Sequence, residues 1–169
     1  MNTIAVDALM NQTRQLAALY RQTTGQTLPV SAELGRYDAA CLLGLQPGPK
    51  PPIAGVDFIG CEGPYHCKSI QVKSRVIFNE NSNSARIGQL NLAMPWEIVL
   101  LVLYDENYQP FAIYGATKEE VVEAIAKATA RLKRGAMSLA KFKVISQLVW
   151  TQENGLEWDE IWTNGRASR

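Results

Sequence analysis

The sequence predicts an α/β domain in which a mixed central β-sheet is flanked by α-helices. Residues 3–22 and 29–43 carry apolar side chains at helical spacing, which indicates two amphipathic helices. Residues 67–78 alternate between apolar and polar side chains, as a strand with one buried face does. Residues 96–104 form a continuous apolar run of strand length, which is typical of a central strand buried on both faces.

Length and composition fit a single domain spanning residues 1–169, because 47% hydrophobic residues suffice for a substantial core. The net charge is +1, so any surface that binds nucleic acid must be a local patch. The first residues lack the basic and apolar regions of a secretory signal, and the longest apolar run, residues 98–104, is far shorter than the ~20 residues of a membrane helix. Three cysteines predict no disulfide framework. We therefore expect a cytoplasmic protein with no membrane partner.

The first helix is expected to end before Gly25, and the second to begin after Pro29 with Ser31 as its N-cap and to end at Gly44. The apolar residues at helical spacing are Leu9, Leu16, Leu19 and Tyr20 in the first helix, and Leu34, Ala39, Leu42 and Leu43 in the second. Glu33 would lie in the first turn of the second helix, where the macrodipole favours a carboxylate. This structural role and a role as a metal ligand are both open at this point.

A β-hairpin is predicted in the centre of the chain. Residues 46–53 contain four prolines and predict a stiff connector that leads to a short strand over residues 55–60. Residues 61–66 contain a glycine and a proline, which favour a turn. The alternation in residues 67–78 places Ile70, Val72 and Val76 on one face and Ser69, Gln71, Lys73 and Arg75 on the other. Pairing of the two strands places Asp57 beside Gln71 and Lys73 in one polar patch.

The second half of the chain continues the α/β pattern. Residues 79–92 are predicted as a polar loop or short helix, and residues 110–114 as a strand after a turn. A helix capped by Thr117 is predicted to about residue 132 and carries a basic cluster at its end: Lys127, Arg131, Lys133 and Arg134. These cations are either phosphate contacts or ordinary helix C-terminal residues. The C-terminal aromatic tail, with Trp158 and Trp162, is either docked on the domain or a surface for a partner.

The residues of the polar patch resemble the PD-(D/E)XK nuclease superfamily, and the resemblance covers about residues 30–115. The family pattern is an acid on one strand, a short connection, and acid-x-Lys on the next strand; here it reads Asp57, then Gln71-Val72-Lys73. Many members add a glutamate on a preceding helix, which Glu33 matches. No proline precedes Asp57, and Gln71 replaces the second acid, a substitution similar to one found in some members.

The resemblance implies a restriction endonuclease-like core and an endonuclease that hydrolyses DNA with Mg²⁺, or with Mn²⁺ in its place. It implies Asp57, Gln71, the backbone carbonyl of Val72 and Glu33 as metal ligands, and Lys73 as the residue that orients the attacking water and stabilises developing charge. Because an amide replaces a carboxylate, we expect weaker metal binding than in an all-acid site and a larger contribution from Glu33.

A second function fits the same pattern. Gln71 also favours a catalytically inactive nuclease-fold domain that serves as a nucleic-acid-binding or subunit-interaction module. RNA is not excluded as the substrate, and restriction, repair and defence are equally compatible settings. A homodimer and a partner protein bound through the C-terminal aromatic tail are both left open.

Overall fold

A computed structural model describes residues 3–78, 85–127 and 136–158. The helices are α1 (Thr3–Thr24), α2 (Ser31–Leu43), α3 (Lys118–Ala126) and α4 (Leu139–Ile145). The strands are β1 (Gln46–Pro47), β2 (Phe58–Ile59), β3 (Ser69–Val76), β4 (Arg86–Gln89), β5 (Ile98–Tyr104), β6 (Pro110–Thr117), β7 (Ala136–Ser138), β8 (Gln147–Thr151) and β9 (Gly155–Leu156). None of the helices within these ranges is long and apolar enough to cross a membrane.

Seven strands form the central sheet in the order β1-β2-β3-β5-β6-β8-β9. The pair β3–β5 is parallel and the other neighbours are antiparallel, so the sheet is mixed, and the predicted α/β class is confirmed. Strands β4 and β7 pair separately as a small antiparallel sheet. The prediction of a polar loop or short helix over residues 79–92 is wrong at Arg86–Gln89, because these residues form β4. Strand β4 pairs with β7, about fifty positions later in the chain. Residues 79–84 lie outside the described ranges.

Each face of the central sheet has its own hydrophobic core. Helices α1 and α2 pack on the face that carries the even-numbered residues of β3 and β5, including Val72 and Leu100. Helices α3 and α4 and the β4–β7 sheet pack on the other face, which carries Val99 and Leu101. Every residue of β5 is buried, which confirms the prediction of a central strand covered on both sides.

The ends of α1 and α2 follow the predicted glycine signals, because Gly25 and Gly44 adopt positive φ angles of 72° and 62°. The prediction that Ser31 is an N-cap is wrong. Val30 occupies the cap position without a side-chain cap bond, and Ser31 is the first helical residue. The Ser31 carbonyl accepts a hydrogen bond of 2.7 Å from the Ser74 hydroxyl, which ties the start of α2 to β3.

The predicted apolar face of α1 does not face the core. Leu9, Leu16 and Leu19 are 59%, 59% and 60% exposed. Helix α1 instead turns Arg14 inward, where its guanidinium donates to Asp38 of α2. A buried charge is stable only when it is paired, and the buried side of α1 is the one that carries this ion pair, together with Ala17.

The C-terminal half matches the prediction in part. Thr117 caps α3 in a capping box with Glu120, as predicted. Lys127 forms an ion pair with Glu123, while the remaining basic residues of the predicted cluster lie outside the described ranges, as does Trp162. Trp158 is docked on the domain, with its ring in edge contact with that of Tyr65 at 6.4 Å between centroids.

Candidate functional site

The predicted hairpin is present and forms the site's framework. Strands β2 and β3 pair antiparallel, with Phe58 opposite Ile70 and Ile59 opposite Ser69. The Asp57 N–H donates to the carbonyl of Ile70 at 2.8 Å, so the pairing extends one residue beyond β2. Asp57 therefore lies opposite the start of the Gln71-Val72-Lys73 segment, as the sequence predicts.

The Asp57 carboxylate binds the edge of β3 directly. Its Oδ2 accepts a hydrogen bond of 2.8 Å from the Val72 N–H, in the place where a longer β2 would pair. The N–H and C=O of one strand residue point to the same side of the strand. Because the pairing of β2 with β3 ends at Ile70, the Val72 carbonyl points to the same open edge as the Asp57 carboxylate.

Gln71 contributes a buried oxygen beside this edge. Its Oε1 is buried and has no hydrogen-bond partner among the described residues. A buried polar atom without a partner costs about 1–3 kcal/mol, so such an atom is rarely retained without a reason. A buried oxygen without a partner is suited to bind a cation or to accept a hydrogen bond from a ligand.

Lys73 lies on the same face of β3 as Gln71. In the parallel pairing with β5, Gln71 is opposite Val99 and Lys73 is opposite Leu101, and both β5 residues belong to the core on the α3 side. The Lys73 side chain is partly exposed, and it forms no ion pair within the described part of the chain. A cation and an amide oxygen are thus adjacent on one sheet face.

The structure does not bring Glu33 to these residues. Helix α2 packs Gly35 so closely on the opposite face of β3 that an added Cβ would lie 2.7 Å from the Cβ of Ser74. Glu33 points away from that contact, its side chain is 68% exposed, and it is paired with Arg36. The sheet therefore lies between α2 and the face that carries Gln71 and Lys73, and the contact that the structure gives the Glu33 carboxylate is the one to Arg36.

The turn between β2 and β3 is held by contacts to β6 and to Trp158, which follows β9. Tyr65, in a 3-10 turn at Gly63–Tyr65, inserts its hydroxyl against Gly115 of β6, where any side chain would collide with it. Burial raises the pKa of the Tyr65 hydroxyl above its usual value. Trp158 covers the same turn at Gly63, where an added Cβ would lie 2.5 Å from the indole. These contacts fix the hairpin that carries Asp57 and Gln71.

One carboxylate on the site's face was not predicted from the sequence. Glu97 directly precedes β5 and lies next to Ser69. Its carboxylate accepts a hydrogen bond of 3.0 Å from the Ser69 N–H and forms an ion pair with Lys68 at 2.8 Å. The hydrogen bond from Lys68 lowers the pKa of the Glu97 carboxyl. Both carboxylate oxygens are already occupied by these donors. No sequence signal indicates this neighbour, because positions 69 and 97 become adjacent only through parallel pairing.

The donor set of the cluster suits a hard cation. Within the described ranges, no group of three or more His, Cys, Asp or Glu side chains could hold a metal ion. The oxygens offered along β3 are instead the Asp57 carboxylate and the Val72 carbonyl at its open edge, and the amide oxygen of Gln71 on the adjoining face. All three are oxygen ligands that magnesium accepts in proteins.

Comparison with known proteins adds no identification. Neither the scan against protein-family models nor the search of curated proteins found a match to this chain.

Proposed function

We propose that this chain has a restriction endonuclease-like core and is a magnesium-dependent endonuclease that hydrolyses DNA phosphodiester bonds. The observation that supports it most is the buried Oε1 of Gln71, which lacks a partner among the described residues; the next residue, Val72, holds the Asp57 carboxylate through its N–H. In this proposal Asp57, Gln71 and the carbonyl of Val72 bind the ion. Lys73 is the catalytic residue.

Each residue has a distinct role in the proposed reaction. Magnesium, when bound, supplies charge stabilisation and makes a water more acidic. The hydrogen bond from the Val72 N–H fixes the Asp57 carboxylate, so little reorganisation is needed on ion binding. The Lys73 ammonium, on the face of Gln71, orients the attacking water and stabilises the charge that develops on the phosphate oxygens. Manganese fits the same oxygen ligands.

Glu33 has no role in this proposal, although the family resemblance implies one. Its carboxylate is paired with Arg36 on the exposed side of α2. The negative charge of the proposed ion site then comes from Asp57 alone. We expect weak metal binding as a consequence.

The low negative charge of the site also favours a second function, a non-catalytic domain that binds nucleic acid or another subunit. Such a domain would keep the fold and the cation Lys73 but would not bind magnesium tightly enough for hydrolysis. The two functions differ in one measurable property, which is metal-dependent cleavage.

The test is incubation of the protein with supercoiled plasmid DNA and magnesium or manganese. We expect nicking by the unmodified protein and a loss of at least about a hundredfold in Asp57→Asn and in Lys73→Ala, as is typical when a charge-stabilising group is removed. Asparagine still offers an oxygen to the Val72 N–H, so the first variant should fold. Glu33→Gln and Lys141→Ala, an exposed lysine on α4, are the matched controls and should retain activity.

The outcomes separate the two functions. Plasmid binding without cleavage in any metal would reject the nuclease and favour the binding module. Nicking that survives Lys73→Ala would reject the assigned site, and loss of nicking in Glu33→Gln would return Glu33 to the ligand set.

A further inference from the structure

The cationic face of β3 extends beyond Lys73. Arg75 lies two residues further along the strand and therefore points to the same face, about 6.6 Å from Lys73 along the strand axis. In the pairing with β5 it lies opposite Leu103, which belongs to the same core as the partners of Gln71 and Lys73. The strand thus presents an amide and two cations in a row.

The guanidinium of Arg75 is held in a fixed place over the small sheet. Its Nε donates to the backbone carbonyl of Arg86 at the start of β4. Its Nη2 lies beside Gly88, where an added Cβ would be 3.7 Å away. The hydrogen bond leaves the outer nitrogens of the guanidinium as donors while fixing the direction of the side chain.

Arg75 has no acidic partner among the described residues. No ion pair involves Arg75 in the described ranges, and its direct partner is a neutral carbonyl. Arg86, whose carbonyl holds it, is itself exposed and cationic. An oriented arginine whose outer nitrogens donate to no described residue suits the oxygens of a phosphate group.

We infer that Arg75 binds the phosphate next to the scissile one, so that the substrate is a polynucleotide strand that crosses from β3 towards β4. This inference rests on the proposed function, because Lys73 defines where the scissile phosphate lies. Arg75 acts on substrate binding and not on the reacting atoms. The site then distinguishes a polynucleotide, which has a neighbouring phosphate, from a small phosphodiester, which has none.

The experiment compares two substrates, a DNA oligonucleotide and bis(p-nitrophenyl) phosphate, with the unmodified protein, Arg75→Ala and the control Lys141→Ala. We expect Arg75→Ala to raise KM for the oligonucleotide about tenfold or more, which is the usual effect of losing a charged hydrogen bond. Hydrolysis of the small diester should be unchanged. The slope of log KM against log salt should decrease in Arg75→Ala by about the contribution of one phosphate contact. It should stay the same in Lys141→Ala.

The outcomes separate this inference from the proposed function. An equal loss on both substrates, or no change on either, would overturn the role of Arg75 while leaving the nuclease intact. If the unmodified protein hydrolyses neither substrate, the proposed function fails, and the salt dependence of oligonucleotide binding still tests Arg75. If Arg75→Ala does not fold, Arg75→Gln, which can keep a donor for the Arg86 carbonyl, replaces it.

Discussion

Replacing Gln71 by methionine is expected to stabilise the protein and to remove its thermal response to magnesium. Methionine has a similar length and shape but no oxygen, so the buried Oε1 that lacks a partner among the described residues is deleted. An unsatisfied buried polar atom costs about 1–3 kcal/mol, so the free energy of unfolding should rise by about 1 kcal/mol or more. For a chain of 169 residues this corresponds to about 2–4 °C in Tm per kcal/mol.

The assay is thermal unfolding in EDTA and across a magnesium titration. A ligand that binds only the folded protein stabilises it by about 2.7 kcal/mol at a hundred times its Kd. The unmodified protein should therefore gain Tm with magnesium, and Gln71→Met should not. Gln89→Met, at an exposed position in β4, is the control; it should change stability by no more than about 0.5 kcal/mol and should keep the magnesium response.

Two results would contradict a ligand role for the Gln71 oxygen. A fall in Tm for Gln71→Met in EDTA would mean that the amide contributes to stability without a ligand. A magnesium response that is unchanged in Gln71→Met would mean that the ion does not contact this oxygen.

Three further changes have clear expectations. Gln71→Glu should tighten magnesium binding in calorimetry, because the ion gains a negative partner in a partly desolvated site; unchanged affinity would reject the ligand role. Asp38→Ala should lower the free energy of unfolding, measured in urea, by about 3–5 kcal/mol, because Arg14 stays charged and is only 5% exposed. A loss below about 1 kcal/mol would contradict the buried ion pair. Gly115→Ala should cost about 1–3 kcal/mol by collision with the Tyr65 hydroxyl, and Tyr65→Phe in the same chain should recover part of it.

Local sequence patterns predicted the elements that carry the candidate site. The period of two in β3 placed Gln71 and Lys73 together, away from Val72, and the structure has that alternation. The short turn between β2 and β3 predicted the pairing that brings Asp57 to β3. Such features depend on residues within a few positions of one another, and the sequence therefore determined them.

Other features depended on contacts between residues far apart in the chain. The leucines of α1 have the spacing of a buried face, yet α1 buries the side on which Arg14 meets Asp38, twenty-four positions away, and the leucines face solvent. The parallel pairing of β3 with β5 placed Glu97 beside Ser69, and no pattern near either residue indicates it.

Local residue patterns were sufficient to predict the α/β class, the hairpin and the order of polar residues along β3. They did not predict that α2 packs across the sheet from Gln71 and Lys73, which separates Glu33 from them; that placement is visible only in the folded protein. The physical reason is that periodicity specifies which face of an element is apolar, whereas the packing of distant elements decides which side of the sheet each one covers. A glutamate in the first turn of a helix shows the same sequence pattern whichever face of the sheet the helix covers.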